Sequence, residues 1–187
     1  MSALRRAIPD RALAERNRRL CERIVLADWF EQAHSIGLFW PMAGRNEVDL
    51  RTIDARARAL DKRLFYPFMA DAGAALRTGF RLVDDPAELA ERGRGFLEPL
   101  PDAPEAERGD LDVILVPALA VARDGHRLGY GAGFYDATLP DFAPPARSVI
   151  VAFDFQLLGE LPTAEHDFAC DRVVTDAREL ECARAPL

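Results

Sequence analysis

The run Arg127-Leu128-Gly129-Tyr130-Gly131-Ala132-Gly133-Phe134-Tyr135-Asp136 gathers the residue types in this chain that could do chemistry. Glycines at alternate positions leave bare backbone amides in a loop, which is one way a protein cradles phosphate oxygens. Phe134 and Tyr135 offer a flat surface for a ring, and Asp136 could hold a magnesium ion on the phosphates. Arg127, just ahead of the first glycine, could bind nucleotide phosphates and stabilise charge that develops during transfer. The run fits neither the dinucleotide fingerprint nor the P-loop pattern. Taken alone it reads equally well as a glycine-rich turn beside a core aromatic pair, with Arg127 a surface residue of that turn.

Two further acids stand at suggestive places. Asp171, in Ala169-Cys170-Asp171-Arg172-Val173-Val174, precedes a short apolar strand, where a carboxylate could join Asp136 on magnesium or simply hold a turn. Glu47 follows Trp40-Pro41-Met42 and the segment Ala43-Gly44-Arg45-Asn46. An acid there could accept hydrogen bonds from the amino and ring N–H groups of a pterin-like heterocycle, or be an ordinary loop acid before a helix. His34, His126 and His166 lack metal-ligand spacing, so a histidine zinc site is not expected. No serine or cysteine nucleophile motif is present. Cys21, Cys170 and Cys182 are an odd set without a close pair and read as reduced thiols.

The elements that must carry these residues alternate. Pro9 to about Ala33 shows helical spacing of Leu13, Leu20, Ile24 and Ala27, with a solvated arginine-rich face between them. Ser35–Trp40 reads as a buried strand ended by Pro41. Val48–Leu60 reads as a helix with Asp49 a possible N-cap. Strands are expected at Arg63–Phe68 and Leu76–Val83, and a short helix at Pro86–Arg92. A long surface loop is expected from Gly93 to Gly109. Asp112–Val121 is the most apolar strand and is expected at the centre of the sheet. A helix should start after Gly133, with strands following at Ser148–Phe153 and Arg172–Thr175. This alternation predicts an α/β sandwich on a mainly parallel sheet, in which ligands sit at the carboxyl ends of the strands. The glycine loop lies beyond the most apolar strand, where a ligand is expected.

The 187 residues, 49% hydrophobic and 29% charged, fit one soluble globular domain spanning 1–187. A formal net charge of −7 argues against a nucleic-acid surface. Lys62 is the only lysine, so any phosphate clamp must come from arginine, backbone amides or metal. There is no long apolar run to span a membrane, and no signal-peptide stretch at the arginine-rich N-terminus, so a cytoplasmic location is expected.

Taken together, four segments resemble the 5-formyltetrahydrofolate cyclo-ligase family, also called methenyltetrahydrofolate synthetases. They are Ile36–Met42 with Glu47-Val48-Asp49; Lys62–Pro67; Leu111–Ala120 running on through Asp124-Gly125 into the glycine loop; and Leu161-Pro162 with His166-Asp167 and Asp171. The resemblance covers nearly the whole chain. It implies a single-domain, Rossmann-like three-layer sandwich. It also implies ATP-dependent closure of 5-formyltetrahydrofolate to 5,10-methenyltetrahydrofolate, with magnesium accompanying ATP and a monomer as the expected state. By position, Arg127 and Tyr135 would be catalytic. ATP would meet Arg127, Leu128, Gly129, Tyr130, Gly131, Ala132, Gly133, Phe134 and Tyr135. Trp40, Met42, Glu47, Phe134 and Tyr135 would line the folate pocket, and Asp136 and Asp171 would hold magnesium. Family members usually carry a lysine and an arginine on a first helix that reach ATP; here Arg5 and Arg6 stand in that segment. Ala132 replaces a residue that is often glycine or lysine, which is tolerable only if its φ is ordinary. A relative acting on another formylated amine, and a non-catalytic folate or nucleotide-binding module, remain open alternatives.

Overall fold

Apolar residues at consecutive positions of a short strand demand cover on both faces. Val113–Pro117 is such a strand, and its residues divide between two cores. Val113 and Leu115 join the larger hydrophobic cluster on one face, while Ile114 and Val116 join the second cluster on the other. The computed structural model describes residues 1–72, 75–164 and 166–182. Its helices are α1 (Ser2–Arg6), α2 (Asp10–Val25), α3 (Asp28–Gln32), α4 (Arg51–Arg58) and α5 (Phe134–Phe142). Its strands up to the glycine run are β1 (Ser35–Gly37), β2 (Arg63–Ala72), β3 (Ala75–Leu82), β4 (Ala90–Glu91), β5 (Leu97–Glu98), β6 (Val113–Pro117), β7 (Ala120–Ala122) and β8 (Arg127–Leu128). Beyond it lie β9 (Arg147–Val151), β10 (Leu157–Leu158), β11 (Arg172–Val174) and β12 (Glu179–Glu181).

Seven strands form the main sheet in the order β12-β11-β9-β6-β1-β2-β3. The five inner strands run parallel, and β3 and β12 pair antiparallel at the two edges. Leu20, Ile24, Trp29, Phe30, Ile53 and Ala57 from α2, α3 and α4 pack on one face. Leu139 and Phe142 of α5 pack on the other, beside a small sheet ordered β10-β7-β8. The expected mainly parallel α/β sandwich is therefore present. The chain goes from β1 to β2 on one side and later to β6 on the other. The crevice beyond the carboxyl ends of β1 and β6 is thus the topological switch point, where open α/β sheets bind ligands.

Several boundaries differ from the sequence expectation. Asp112–Val121 is two strands, because Pro117 has no N–H to continue the ladder and the chain leaves for the small sheet. The long first helix breaks at Ala27, which is extended, so that α3 can bury Trp29 and Phe30. Asp49 is not the N-cap of α4; that position is Leu50, while Asp49 is fixed to α2 by paired hydrogen bonds with Asn17 of 2.8 and 2.9 Å. Only Pro86–Glu88 of the expected short helix is helical, as a single 3₁₀ turn. The following residues form a two-stranded ribbon of β4 and β5, the latter inside the expected loop.

Candidate active site

At the carboxyl end of β1 the chain stays buried through Leu38 and Phe39, then turns away at Trp40-Pro41-Met42. The returning loop is held by Glu47, whose Oε2 accepts the backbone N–H of Met42 at 2.7 Å. This carboxylate is buried, and its Oε1 lies 4.0 Å from the equally buried guanidinium of Arg5. Trp40 lies 6.2 Å from the ring of Tyr66. Trp40, Met42 and Glu47 line one wall of a cavity of about 1200 Å³, with Leu13, Asn17 and Cys21 of α2 opposite and Phe96 and Leu97 at its rim. Of the five residues expected in a heterocycle pocket, Trp40, Met42 and Glu47 line this cavity, whereas Phe134 and Tyr135 do not. The α2 wall was not read from the sequence; its only trace there is the apolar stripe of that helix, which Leu13 and Cys21 share.

At the carboxyl end of β6 the chain enters the β7–β8 hairpin. The hairpin turns at Gly125, whose φ of +90° and approach to Cys170 exclude a side chain: a Cβ would lie 2.2 Å from the Cys170 carbonyl oxygen. The return strand carries Arg127. Its Nη2 donates to Asp136 Oδ1 at 2.9 Å and its Nη1 to the Phe168 carbonyl at 2.9 Å. The Phe168 N–H donates to the same Asp136 oxygen at 3.1 Å. A fixed cation therefore lies under the glycine loop with its side chain only 3% exposed. The loop from Leu128 to Gly133 is exposed. Gly131 and Gly133 have φ of +92° and +64°, while Ala132 is not in the positive-φ region. The alanine is thus compatible with the loop as it stands, and Gly133 leads directly into α5 as its N-cap.

Phe134 and Tyr135, on the first turn of α5, face into the molecule. Their rings pack edge to face at 4.9 Å, and Phe134 also meets Phe80 at 6.1 Å. The Tyr135 hydroxyl is buried and has no hydrogen-bond partner among the described residues. Burial raises its pKa well above the usual phenol value; Arg127 opposes the rise, and Glu47 and Cys170 add to it. The Tyr135 ring lies 5.7 Å from the guanidinium of Arg127.

The remaining expected residues divide. Arg5 is buried and donates Nε to the Arg45 carbonyl at 2.7 Å, while Arg6 is exposed. Asp171 lies at the amino end of β11, where its Oδ2 accepts both the N–H and the hydroxyl of Ser148 at 2.8 Å. Burial pushes the Cys170 thiol up to about 11; Arg127 opposes the rise, and Asp171 and Asp136 add to it. Among the described residues there is no group of three or more His, Cys, Asp or Glu side chains placed to hold a metal.

The fold is an α/β sandwich on a mainly parallel sheet, with the Glu47 cavity beyond β1 and Arg5 bridging Glu47 to Tyr130 of the glycine loop. The chain belongs to the 5-formyltetrahydrofolate cyclo-ligase family, whose pattern it matches over residues 1–176. It is 47% identical to the 5-formyltetrahydrofolate cyclo-ligase of Mycolicibacterium smegmatis over 100 residues, 53% of this chain and 52% of that one, so the match spans about half of that relative. It is 29% identical to the Escherichia coli K12 cyclo-ligase over 181 residues, covering 95% of this chain and 97% of that protein. In fold it is similar to the Aquifex aeolicus 5,10-methenyltetrahydrofolate synthetase, with a TM-score of 0.81 at 24% identity over 99% of this chain and 90% of the other.

Proposed function

We propose that this chain is an ATP-dependent ligase that closes 5-formyltetrahydrofolate to 5,10-methenyltetrahydrofolate and releases ADP and phosphate. The observation that carries this reading is the hydroxyl of Tyr135, buried and without a hydrogen-bond partner among the described residues, on a ring that lies 5.7 Å from the guanidinium of Arg127. A buried donor without a partner is costly unless a ligand supplies one. Its position suits an oxygen passing between a phosphate bound at the loop and a heterocycle bound at the acid.

The chemistry follows from the leaving group. The formyl oxygen of an N-formyl amine is a poor one. In this reading it attacks the γ-phosphorus of ATP and ADP departs. N10 of the folate then attacks the activated formyl carbon and loses its proton. The carbon–oxygen bond breaks, inorganic phosphate leaves, and the five-membered ring is closed. No protein nucleophile is needed; catalysis is positioning and charge stabilisation. Arg127, the amides of Gly129–Gly133 and Arg5 bind the phosphates. Tyr135 stays protonated and donates to the transferring oxygen. Glu47 holds the pterin N–H groups, and Trp40 and Met42 shape the cavity wall.

Magnesium fits one carboxylate of the site well. Asp136 uses Oδ1 for Arg127 and the Phe168 N–H, and among the described residues its Oδ2 takes no hydrogen bond. Magnesium typically takes one or two carboxylates together with phosphate oxygens, and when bound it would neutralise charge on the transferring phosphoryl group. Asp171 contributes less in this reading, because its Oδ2 is already engaged twice by Ser148. Cytoplasmic location and a monomeric state belong to the same proposal. The three buried free thiols suit the reducing conditions of that compartment.

The test is purified protein with 5-formyltetrahydrofolate and Mg-ATP, followed by the absorbance of the methenyl product. Product that requires ATP is expected. Folate binding without turnover would replace the ligase reading with that of a binding module.

A further inference from the structure

Tyr130 stands where the two halves of the site meet, and the reaction above makes no use of its side chain. The phosphate loop offers backbone amides, and the heterocycle needs Glu47. Yet Tyr130 is tied to both. Its hydroxyl accepts a hydrogen bond from Arg5 Nη2. Its ring lies 4.8 Å from the guanidinium of Arg45 and 5.9 Å from that of Arg5. Glu47 Oε1 is 4.0 Å from the same Arg5 nitrogen. Burial raises the Tyr130 phenol pKa, the charge and hydrogen bonding of Glu47 raise it further, and Arg5 opposes them. Arg5 also holds the 45–46 segment, donating to the Arg45 carbonyl at 2.7 Å and accepting from the Asn46 side chain at 3.3 Å through its own carbonyl. A single knot therefore joins α1, the loop before Glu47 and the glycine loop.

Both ligands of the proposed reaction must undo this knot. Glu47 Oε2 is occupied by the Met42 N–H. A heterocycle N–H that takes the other oxygen, Oε1, arrives on the side where Arg5 lies. A nucleotide phosphate that recruits Arg5 takes away the donor that holds the Tyr130 hydroxyl. We propose that Tyr130 is a positioning residue that couples the two substrates: its hydroxyl holds the Arg5 guanidinium beside the Glu47 carboxylate, and the release of that link by either ligand favours the binding of the other. This rests on the assignment of Glu47 to the folate and of the glycine loop to ATP. The energy needed to open the knot is spent once, so each ligand should strengthen the other by the same factor. Typical couplings of this kind are about five- to a hundredfold, and the lower part of that range fits a knot of a few hydrogen bonds.

The test is Tyr130→Phe, which keeps the ring on Arg45 and removes only the hydroxyl; thermal melting checks that the variant folds. The affinity for 5-formyltetrahydrofolate is measured with and without a non-hydrolysable ATP analogue. The wild-type protein should show positive coupling of about five- to tenfold. In Y130F each ligand alone should bind several-fold more tightly, and the coupling factor should fall towards one. Unchanged affinities and an unchanged factor would overturn the proposal. A second arm needs no ligand: the amides of residues 129–133 should exchange hydrogen faster in Y130F, and equal rates would overturn the latch directly. Should the wild-type protein bind no folate while the exchange difference is present, the folate assignment fails and the latch stands.

Discussion

The two ends of the parallel strands use the same groups and finish differently. At the amino edge, Asp112 beside β6 takes the N–H and hydroxyl of Ser35 at the start of β1, both at 3.0 Å, and returns its own N–H to that hydroxyl at 3.0 Å. Asp171 beside β11 repeats the pattern on Ser148 in β9, with the return bond also at 3.0 Å. Each bracket ties two neighbouring parallel strands at their starts. At the carboxyl edge, Arg127 lies 5.7 Å from the ring of Tyr135, whose hydroxyl has no hydrogen-bond partner among the described residues, and Glu47 lines the neighbouring cavity. A carboxylate whose bonds close within the fold serves stability. One that shares its surroundings with an unpartnered donor has capacity for a ligand.

Breaking the carboxyl edge should cost activity in a definite order. Arg127→Met removes the fixed charge under the phosphate loop and should lower kcat/KM by about 10²- to 10³-fold, the usual effect of losing one donor to developing charge. Steady-state kinetics at saturating ATP separates this from simple loss of binding. Glu47→Gln keeps the shape of the side chain but loses the charged acceptor. It should lower kcat/KM for the folate by about 10- to 100-fold, as expected for a hydrogen bond to a charged group, while the affinity for a non-hydrolysable ATP analogue measured without folate changes far less. Asp136→Asn should raise the magnesium concentration for half-maximal activity by about tenfold or more. Asp171→Asn should raise it less, and a larger shift at Asp171 would reverse the ranking of the two acids.

Breaking the amino edge should cost stability and little else. Ser35→Ala leaves Asp112 short of a hydroxyl partner and should lower unfolding stability by about 1–2 kcal/mol, read from the urea midpoint, with kcat/KM retained. The Asp112 bracket also carries a pH signature. Burial raises the pKa of its carboxyl, but the His34 N–H and the hydroxyl and N–H of Ser35 lower it further, so it lies below the ordinary aspartate value. A group depressed in the folded state stabilises the fold above its unfolded pKa of about 3.9. That contribution fades as the pH falls through the folded value. Asp112→Asn should therefore be destabilising at pH 6 and lose much of that difference by pH 3, as urea midpoints at the two pH values would show.

This division was only partly visible in the sequence. The parallel sheet was legible because its strands are apolar at consecutive positions, and the spacing around Pro41 and the glycines made Glu47, Arg127 and Tyr135 candidates without fixing what they do. The extent of individual elements was less so. Pro117 ends β6 inside an unbroken apolar run, and nothing local marks the helix break at Ala27, which tertiary burial of Trp29 and Phe30 decides. The Asp171 bracket was hidden because its partner, Ser148, is 23 residues away. The Arg5–Tyr130 contact spans 125 residues and leaves no local trace.

The central claim is that the formyl oxygen itself receives the phosphoryl group at the carboxyl edge. The most direct test is 5-formyltetrahydrofolate carrying oxygen-18 in its formyl group, turned over with unlabelled Mg-ATP, with the released phosphate analysed by mass spectrometry. One labelled oxygen in each phosphate, matched by one ADP and one methenyltetrahydrofolate, is the predicted result. Methenyltetrahydrofolate formed alongside unlabelled phosphate would contradict the account.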